Sequence, residues 1–410
     1  MQQPLSERYK ITRQRTLALA NPLSEADMQI QAADFASPGK WHLAHTTWFF
    51  EEFILKPLGM KSRFAEPYRF LFNSYYETVG ERQPQNKRGF ISRPSLNEIL
   101  NYRNEVDAKL LNAFERGMDD DLLDLVELGI HHEQQHQELF LTDIVFNLFQ
   151  NPLHPAYLDI ANSDPLEKEE GATFMKGFDG GLVSIGHDSP DFCFDNERPS
   201  HRYFLEPFKL SNRLITNAEW LEFIEDGGYR NPILWLSDGW KIARNEGWRM
   251  PLYWLVDEGY FAYGLYGVQP LDGSAPVSNI SFFEADAFAR WAGKRLPTEF
   301  EWEFSARQNE ATDAVEDTDR LIQPLRLASN RNLKQLHGHV WQWTASPYVA
   351  YPGFKVNPGS VGEYNGKFMN GQYVLRGSSF ATPPFHDRVS YRNFFYPHQR
   401  WQFAGLRLAE

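Results

Sequence analysis

The sequence predicts an α+β chain in two parts: an N-terminal helical bundle, then an irregular, loop-rich domain of helices and short strands. Three observations carry this. The chain has 410 residues, which is long for a single core and points to two domains. Up to about residue 150 the apolar residues recur at helical spacing, as with Leu96, Ile99, Leu100, Tyr102 and Val106. From about residue 172 the texture changes, and short apolar runs alternate with Gly, Pro, Asn and Asp punctuation.

In order, the pattern predicts helices over 6–19, 25–33, 42–58, 95–116 and 119–150. The third opens after the Ser37-Pro38-Gly39 breaker, and the last stops before Pro152. Ser95 followed three residues later by Glu98 reads as a capping box at the start of the fourth. Such helices can form an antiparallel bundle with ligands pointing inward. The proposed division is a bundle over 1–155, a linker over 156–171 marked by Asp164-Pro165 and the run Glu167-Lys168-Glu169-Glu170, and a second domain over 172–410. No repeats or low-complexity tracts interrupt it.

Composition narrows the function. A net charge of -13 and a pI near 5.5 argue against nucleic acid or an anionic membrane as the main partner. No apolar run is long enough to span a bilayer, and residues 1–8 lack a signal-peptide core. The single cysteine, Cys193, forbids an intrachain disulfide and fits a reducing cytoplasm, so a cytoplasmic enzyme is expected.

The most informative segment is His131-His132-Glu133-Gln134-Gln135-His136, inside the last predicted helix. His132 and His136 lie one turn apart on one face and can share a metal ion. With Glu133 they read H-E-x-x-H, the zinc-protease signature, though His pairs on helices are as often packing residues. A second cluster, Trp41-His42-Leu43-Ala44-His45, offers a third imidazole. Neutral imidazoles suit iron, copper, nickel or zinc, and a lone cysteine rules out a thiolate cage. Spacing alone does not choose between His42 and His45.

These segments, with Phe72-Asn73-Ser74-Tyr75-Tyr76-Glu77, resemble the ergothioneine-biosynthesis sulfoxide synthases, the hercynine oxygenases. The C-terminal half shares the resemblance through Gly181-Leu182-Val183-Ser184-Ile185-Gly186, Arg295-Leu296-Pro297-Thr298-Glu299, Val340-Trp341-Gln342-Trp343-Thr344 and Gly405-Leu406-Arg407. The resemblance covers nearly the whole chain. It implies a DinB-like four-helix iron-binding domain followed by a formylglycine-generating-enzyme-like, C-type-lectin-like domain. It also implies a non-haem Fe(II) on His45, His132 and His136, with His42 a neighbouring polar or packing residue and Glu133 a surface or supporting carboxylate.

The implied reaction joins hercynine to a thiol through a C–S bond, with O2 as co-substrate and a sulfoxide as product. Holding the reactants on one site makes a three-body encounter intramolecular. Gln135, on the rim between the ligands, would hydrogen-bond the substrate imidazole. Tyr75 or Tyr76 would donate a proton, and alternation along an extended segment would point only one of them inward. Arg88 and Arg82 are the expected partners of the thiol's carboxylate, and Arg376, Arg388 and Arg392, near Asn393 in sequence, are alternative carboxylate partners. Asn393 would help hold hercynine, and Phe394 and Phe395 would wall its quaternary ammonium. The Asn-Ser-Tyr-Tyr-Glu segment resembles the cysteine-using type, so cysteine is the expected thiol, with γ-glutamylcysteine and a selenosugar (selenoneine synthesis) as alternatives. No obligate protein partner is expected.

Two departures limit the resemblance to formylglycine-generating enzymes and to ovothiol synthases. Leu375-Arg376-Gly377-Ser378-Ser379-Phe380 has none of the cysteines that sulfatase-cysteine oxidation needs, and with no methyltransferase domain expected after Glu410, N-methylated products are not expected. A zinc metallohydrolase is the alternative from another class, and a non-enzymatic binding module a third.

Overall fold

The computed structural model describes residues 3–159, 173–309, 333–356, 362 and 365–410. They divide into two compact units, the chain passing from the first to the second between residues 158 and 159, with residue 362 belonging to the first. Most of the expected linker, 156–171, lies outside the described residues.

The first unit is helical. It contains α1 (Leu5–Ala20), α2 (Gly39–Phe50), α3 (Ala65–Phe72), α4 (Leu96–Arg116) and α5 (Asp120–Phe149). Asp119 caps α5, its carboxylate accepting from Leu122 N, and Ser95 and Glu98 form the full capping box on α4. All twelve residues of α2 are buried, as befits a helix packed on every side. It continues into a π-helical turn, Glu51–Leu55, where buried Glu51 accepts from Tyr102 Oη at 2.6 Å and Ser62 N at 2.7 Å. Gly129 lets α5 approach α2: a Cβ there would fall 2.5 Å from the Phe50 ring.

Two expectations are corrected here. The helix expected over 25–33 is only a 3₁₀ turn, Asp27–Gln29, because Ser24 and Asp27 hydrogen-bond each other locally in a turn instead of propagating a helix. The helix α3 was not anticipated. It is short and carries Pro67, which the first helical turn tolerates because its N–H has no intrahelical partner.

The second unit is built from short elements. A four-stranded sheet runs in the order β10 (Asn393–Phe395), β9 (Tyr373–Arg376), β8 (Trp341–Pro347), β11 (Ala404–Gly405), with only the last pair parallel. Strands β1 (Met175–Phe178) and β4 (Phe208–Ser211) pair, as do β2 (Gly181–Ile185) and β3 (His201–Leu205), and β5 (Trp254–Asp257), β6 (Gly259–Gly264) and β7 (Gly267–Pro270) form an antiparallel sheet. Helices α6 (Asn217–Glu225), α8 (Phe282–Trp291) and α9 (Glu299–Gln308) each start on a capping box, while α7 (Ser237–Asn245) does not. Leu205, Phe208, Leu210, Trp302, Leu333 and Leu336 form one core cluster. Beside it Glu299 accepts from Arg376 and Arg392, both fully buried. Among the described residues no helix is long and apolar enough to cross a membrane.

Candidate metal centre

Helix α2 supplies His45, and α5 supplies His132 and His136. One ring nitrogen from each can be chosen so that all three lie within 4.8 Å of one another. The ring centroids are 4.7–4.9 Å apart, and His45 Nε2 faces His132 Nε2 at 3.2 Å. Among the described residues this is the one such cluster of His, Cys, Asp or Glu. His45 and His132 are buried and His136 is half-buried. Burial pushes all three imidazoles toward the neutral form: His132 falls to about 3, and His45 and His136 lie well below the usual histidine range. Neutral, converging nitrogens fit a divalent transition metal. His45 Nδ1 lies 2.6 Å from the Phe72 carbonyl, which can only accept, so Nδ1 carries the proton and Nε2 keeps its lone pair.

His42 takes no place in the trio. It sits behind His136, Nδ1 to Nδ1 at 2.9 Å, with its Nε2 3.0 Å from Asp143 Oδ2. Of the two histidines that spacing left open, His45 joins the pair on α5.

Glu133 is no surface carboxylate. It is fully buried in α5, where Arg13 Nη1 donates at 2.8 Å, Thr16 Oγ1 at 2.6 Å, and Arg103 also donates. Burial alone would raise its pKa, but Arg103 and Arg13 outweigh it and hold the carboxyl at about 2. The carboxylate ties α1, α4 and α5 together. His131 is buried beside Arg8, whose Nη2 lies 3.3 Å from its Nε2.

Aromatic rings frame the site. Trp41 stacks on His45 at 4.6 Å and 11°, and Trp48 lies at 5.6 Å and 17°. The guanidinium of Arg88 lies 3.4 Å from the Trp41 ring centroid, and its Nη1 donates to Ser37 Oγ at 3.0 Å. Arg88 is 5% exposed and has no ion pair among the described residues, and burial lowers its pKa to about 9. A buried cation in that state suits an incoming anion. Arg82 is placed differently: it is part-exposed and donates to Glu77 Oε1 at 2.9 Å.

The tyrosines correct another expectation. Asn73 Oδ1 accepts from Tyr76 N at 3.1 Å and folds the segment into a turn, so the two rings stack at 4.7 Å instead of facing opposite ways. Tyr76 is fully buried against Phe53 and Trp48, and Tyr75 is half-buried. Gln135 is half-buried on α5, one residue before His136.

Asn393, Phe394 and Phe395 form β10 of the second unit. Asn393 Oδ1 accepts from Phe394 N, Phe394 stacks on Tyr348 at 4.0 Å, and Phe395 meets Trp401 edge-on at 5.4 Å. Arg376, Arg388 and Arg392 do not offer open guanidinium groups, since Arg376 and Arg392 hold Glu299 and Arg388 holds Glu197.

Two family models match this chain. The DinB superfamily covers residues 8–140, and the sulfatase-modifying factor enzyme 1-like domain covers 164–320 and 312–410. A hercynine oxygenase from Mycolicibacterium smegmatis is 31% identical over 438 residues, spanning 99% of this chain and 98% of the relative. The chain belongs to the hercynine oxygenase family. A second hercynine oxygenase, from Mycobacterium tuberculosis, is 30% identical over 97% of this chain and 96% of its own length. Ergothioneine biosynthesis protein 1 of Schizosaccharomyces pombe is 28% identical over 55% of this chain and 29% of that protein. The architecture is thus a helical DinB-like region followed by a sulfatase-modifying-factor domain of mixed helix and strand.

In this member of the hercynine oxygenase family the sequence motifs assign no role to Asp143, and none to Trp41 beyond its place beside His42. Asp143 lies seven residues after His136, two turns along the same stripe, and Trp41 lies four before His45. That spacing was the available signal.

Proposed function

We propose that this chain is a non-haem Fe(II), O2-dependent oxygenase that joins hercynine to cysteine, taking part in ergothioneine biosynthesis. One C–H and one S–H bond are replaced by a C–S bond, one oxygen atom enters the sulfoxide and the other leaves as water. The observation that carries this is the convergence of His45, His132 and His136, neutral and facing one another, in a chain whose full-length relatives bear the name hercynine oxygenase.

Those three histidines would hold the iron. Bound Fe(II) would supply the electron-transfer chemistry that lets O2 react with a thiol and an imidazole carbon. The rest falls to the protein. Arg88, buried on Trp41, binds the cysteine carboxylate, with Arg82 a weaker second choice because Glu77 already engages it. Gln135 hydrogen-bonds the hercynine ring. A phenol of the Tyr75–Tyr76 stack delivers a proton during oxygen reduction. Asn393, Phe394 and Phe395 keep the substrate roles that the resemblance implies for them.

A zinc metallohydrolase is less favoured on one specific observation. Its Glu must be free to take a proton from water, whereas Arg13, Arg103 and Thr16 occupy Glu133. The test is anaerobic Fe(II) reconstitution, then O2 uptake with hercynine and cysteine. Coupled uptake and a sulfoxide in the mass spectrum are expected. Coupling with a selenosugar but not cysteine would assign selenoneine synthesis, and hydrolysis with zinc and no O2 uptake would reject the oxygenase.

A further inference from the structure

We propose that His42 and Asp143 are a positioning pair that sets the tautomer and the donor strength of His136. The inference rests on the iron-binding reading of His45, His132 and His136 and adds to it a role for two residues outside the trio.

Asp143, His42 and His136 form a buried chain of hydrogen-bonding atoms. Asp143 Oδ2 lies 3.0 Å from His42 Nε2, and His42 Nδ1 lies 2.9 Å from His136 Nδ1. An ionised carboxylate only accepts, so His42 Nε2 carries the proton. With that proton on Nε2, a neutral His42 has a lone pair on Nδ1. His136 Nδ1 must then be the donor of the 2.9 Å contact, which leaves His136 Nε2 as its free lone pair. With an ionised carboxylate and two neutral rings, no other placement of protons satisfies both contacts.

The chain is also held in place. Ser37 N donates to the same Asp143 oxygen at 2.8 Å, His42 and Asp143 are 3% and 4% exposed, and the Phe140 ring meets His42 edge-on at 6.1 Å. The ligands are therefore backed unequally. His45 is backed by a neutral carbonyl at Phe72, whereas His136 is backed, through one imidazole, by a carboxylate. A negative charge behind an N–H raises the basicity of the opposite ring nitrogen. His136 becomes the stronger donor, fixed in the one tautomer that can bind.

The experiment uses the full chain and Co(II), whose absorption band reports ligand field, with Fe(II) titrated in parallel. Asp143→Asn keeps size and removes the charge, and its amide can donate to His42 and invert the tautomers. His42→Ala breaks the chain. His42→Gln can rebuild it, its amide oxygen accepting from His136 Nδ1–H and its amide N–H donating to Asp143. We expect Asp143→Asn and His42→Ala to bind both metals about 10–100-fold more weakly, with a shifted Co(II) band, and His42→Gln to recover most of the loss. Wild-type affinity and an unshifted band in Asp143→Asn overturn the proposal, and this arm decides even if His42→Ala fails to fold. Weaker binding with an unshifted band and no recovery in His42→Gln also overturns it, because that is what packing alone would do. If wild type binds no metal, or His132→Ala binds as tightly, the centre itself falls. Loss in His132→Ala with no change in Asp143→Asn rejects the positioning role alone.

Discussion

At the residue scale the sharpest contrast lies between neighbours. His132 belongs to the imidazole trio, while Glu133, the next residue and about 100° around the helix, turns to two arginines. Removing Glu133 would leave Arg13 and Arg103 buried without a counter-charge, so Glu133→Ala should cost about 3–5 kcal/mol in denaturant unfolding. A loss under about 1 kcal/mol, the range of exposed pairs, would contradict the buried network. The tyrosine pair yields a different kind of expectation. Phe keeps the ring stack and removes only the hydroxyl. One of Tyr75→Phe and Tyr76→Phe should go on consuming O2 and cysteine while sulfinic acid replaces the sulfoxide. Unchanged product ratios in both would remove the phenol from the reaction. The motif pointed to these residues, but their arrangement was not legible in it. Which way a pair of adjacent tyrosines points depends on the Asn73 turn, and a local side chain–backbone bond overrides strand-like alternation.

At the element scale the site is a matter of how closely two helices pass. Helix α2 is buried on every face, and Gly129 on α5 lets the Phe50 ring approach one turn before His132. Gly129→Ala should gain helix propensity yet lose stability, about 1–3 kcal/mol, because the added methyl collides with an immobile ring. Net stabilisation in thermal unfolding would show that the interface can relax. Four of the five helices expected in the bundle form nearly where periodicity puts them, because caps and apolar stripes agree there, as at Ser95 with Glu98. The failure over 25–33 and the missed α3 share a cause: both are short, and turn chemistry or packing decides elements too short to hold themselves together.

At the scale of the whole molecule, the three proposed metal ligands and the residues that back them all lie in the first unit. A fragment of residues 1–158 should therefore bind Fe(II) if it folds. A folded fragment that binds none would place part of the centre elsewhere. The same buried imidazoles predict how the metal-free protein responds to acid. His132 has its folded pKa near 3 against 6.5 for an unperturbed histidine. Above 6.5 neither state is charged there and the group is neutral to stability. As pH falls below 6.5 the unfolded chain takes up a proton that the folded site refuses, so folding is progressively penalised down to about 3. His45 and His136 shift in the same direction. Glu133 adds a loss as pH falls from 4.5 toward about 2. The melting temperature of the metal-free protein should fall steadily from pH 7 to pH 4, and bound metal should oppose the fall. A flat profile would contradict the buried neutral trio. The two-part architecture was readable from the change of texture near residue 172, since a helical period and a loop-rich pattern cannot be confused over such lengths. The surroundings of Asn393 and Phe394 were not, because strand pairing and ring stacking that no local spacing encodes place them.

The proposed oxygenase chemistry depends on iron held jointly by His45, His132 and His136. Anaerobic titration of Fe(II) into wild type and into His45→Ala, His132→Ala and His136→Ala tests it most directly. Tight binding of a single Fe(II) per chain is expected in wild type, with its loss in each variant while the fold persists. Stoichiometric, wild-type-strength iron binding in any one of the three would contradict it.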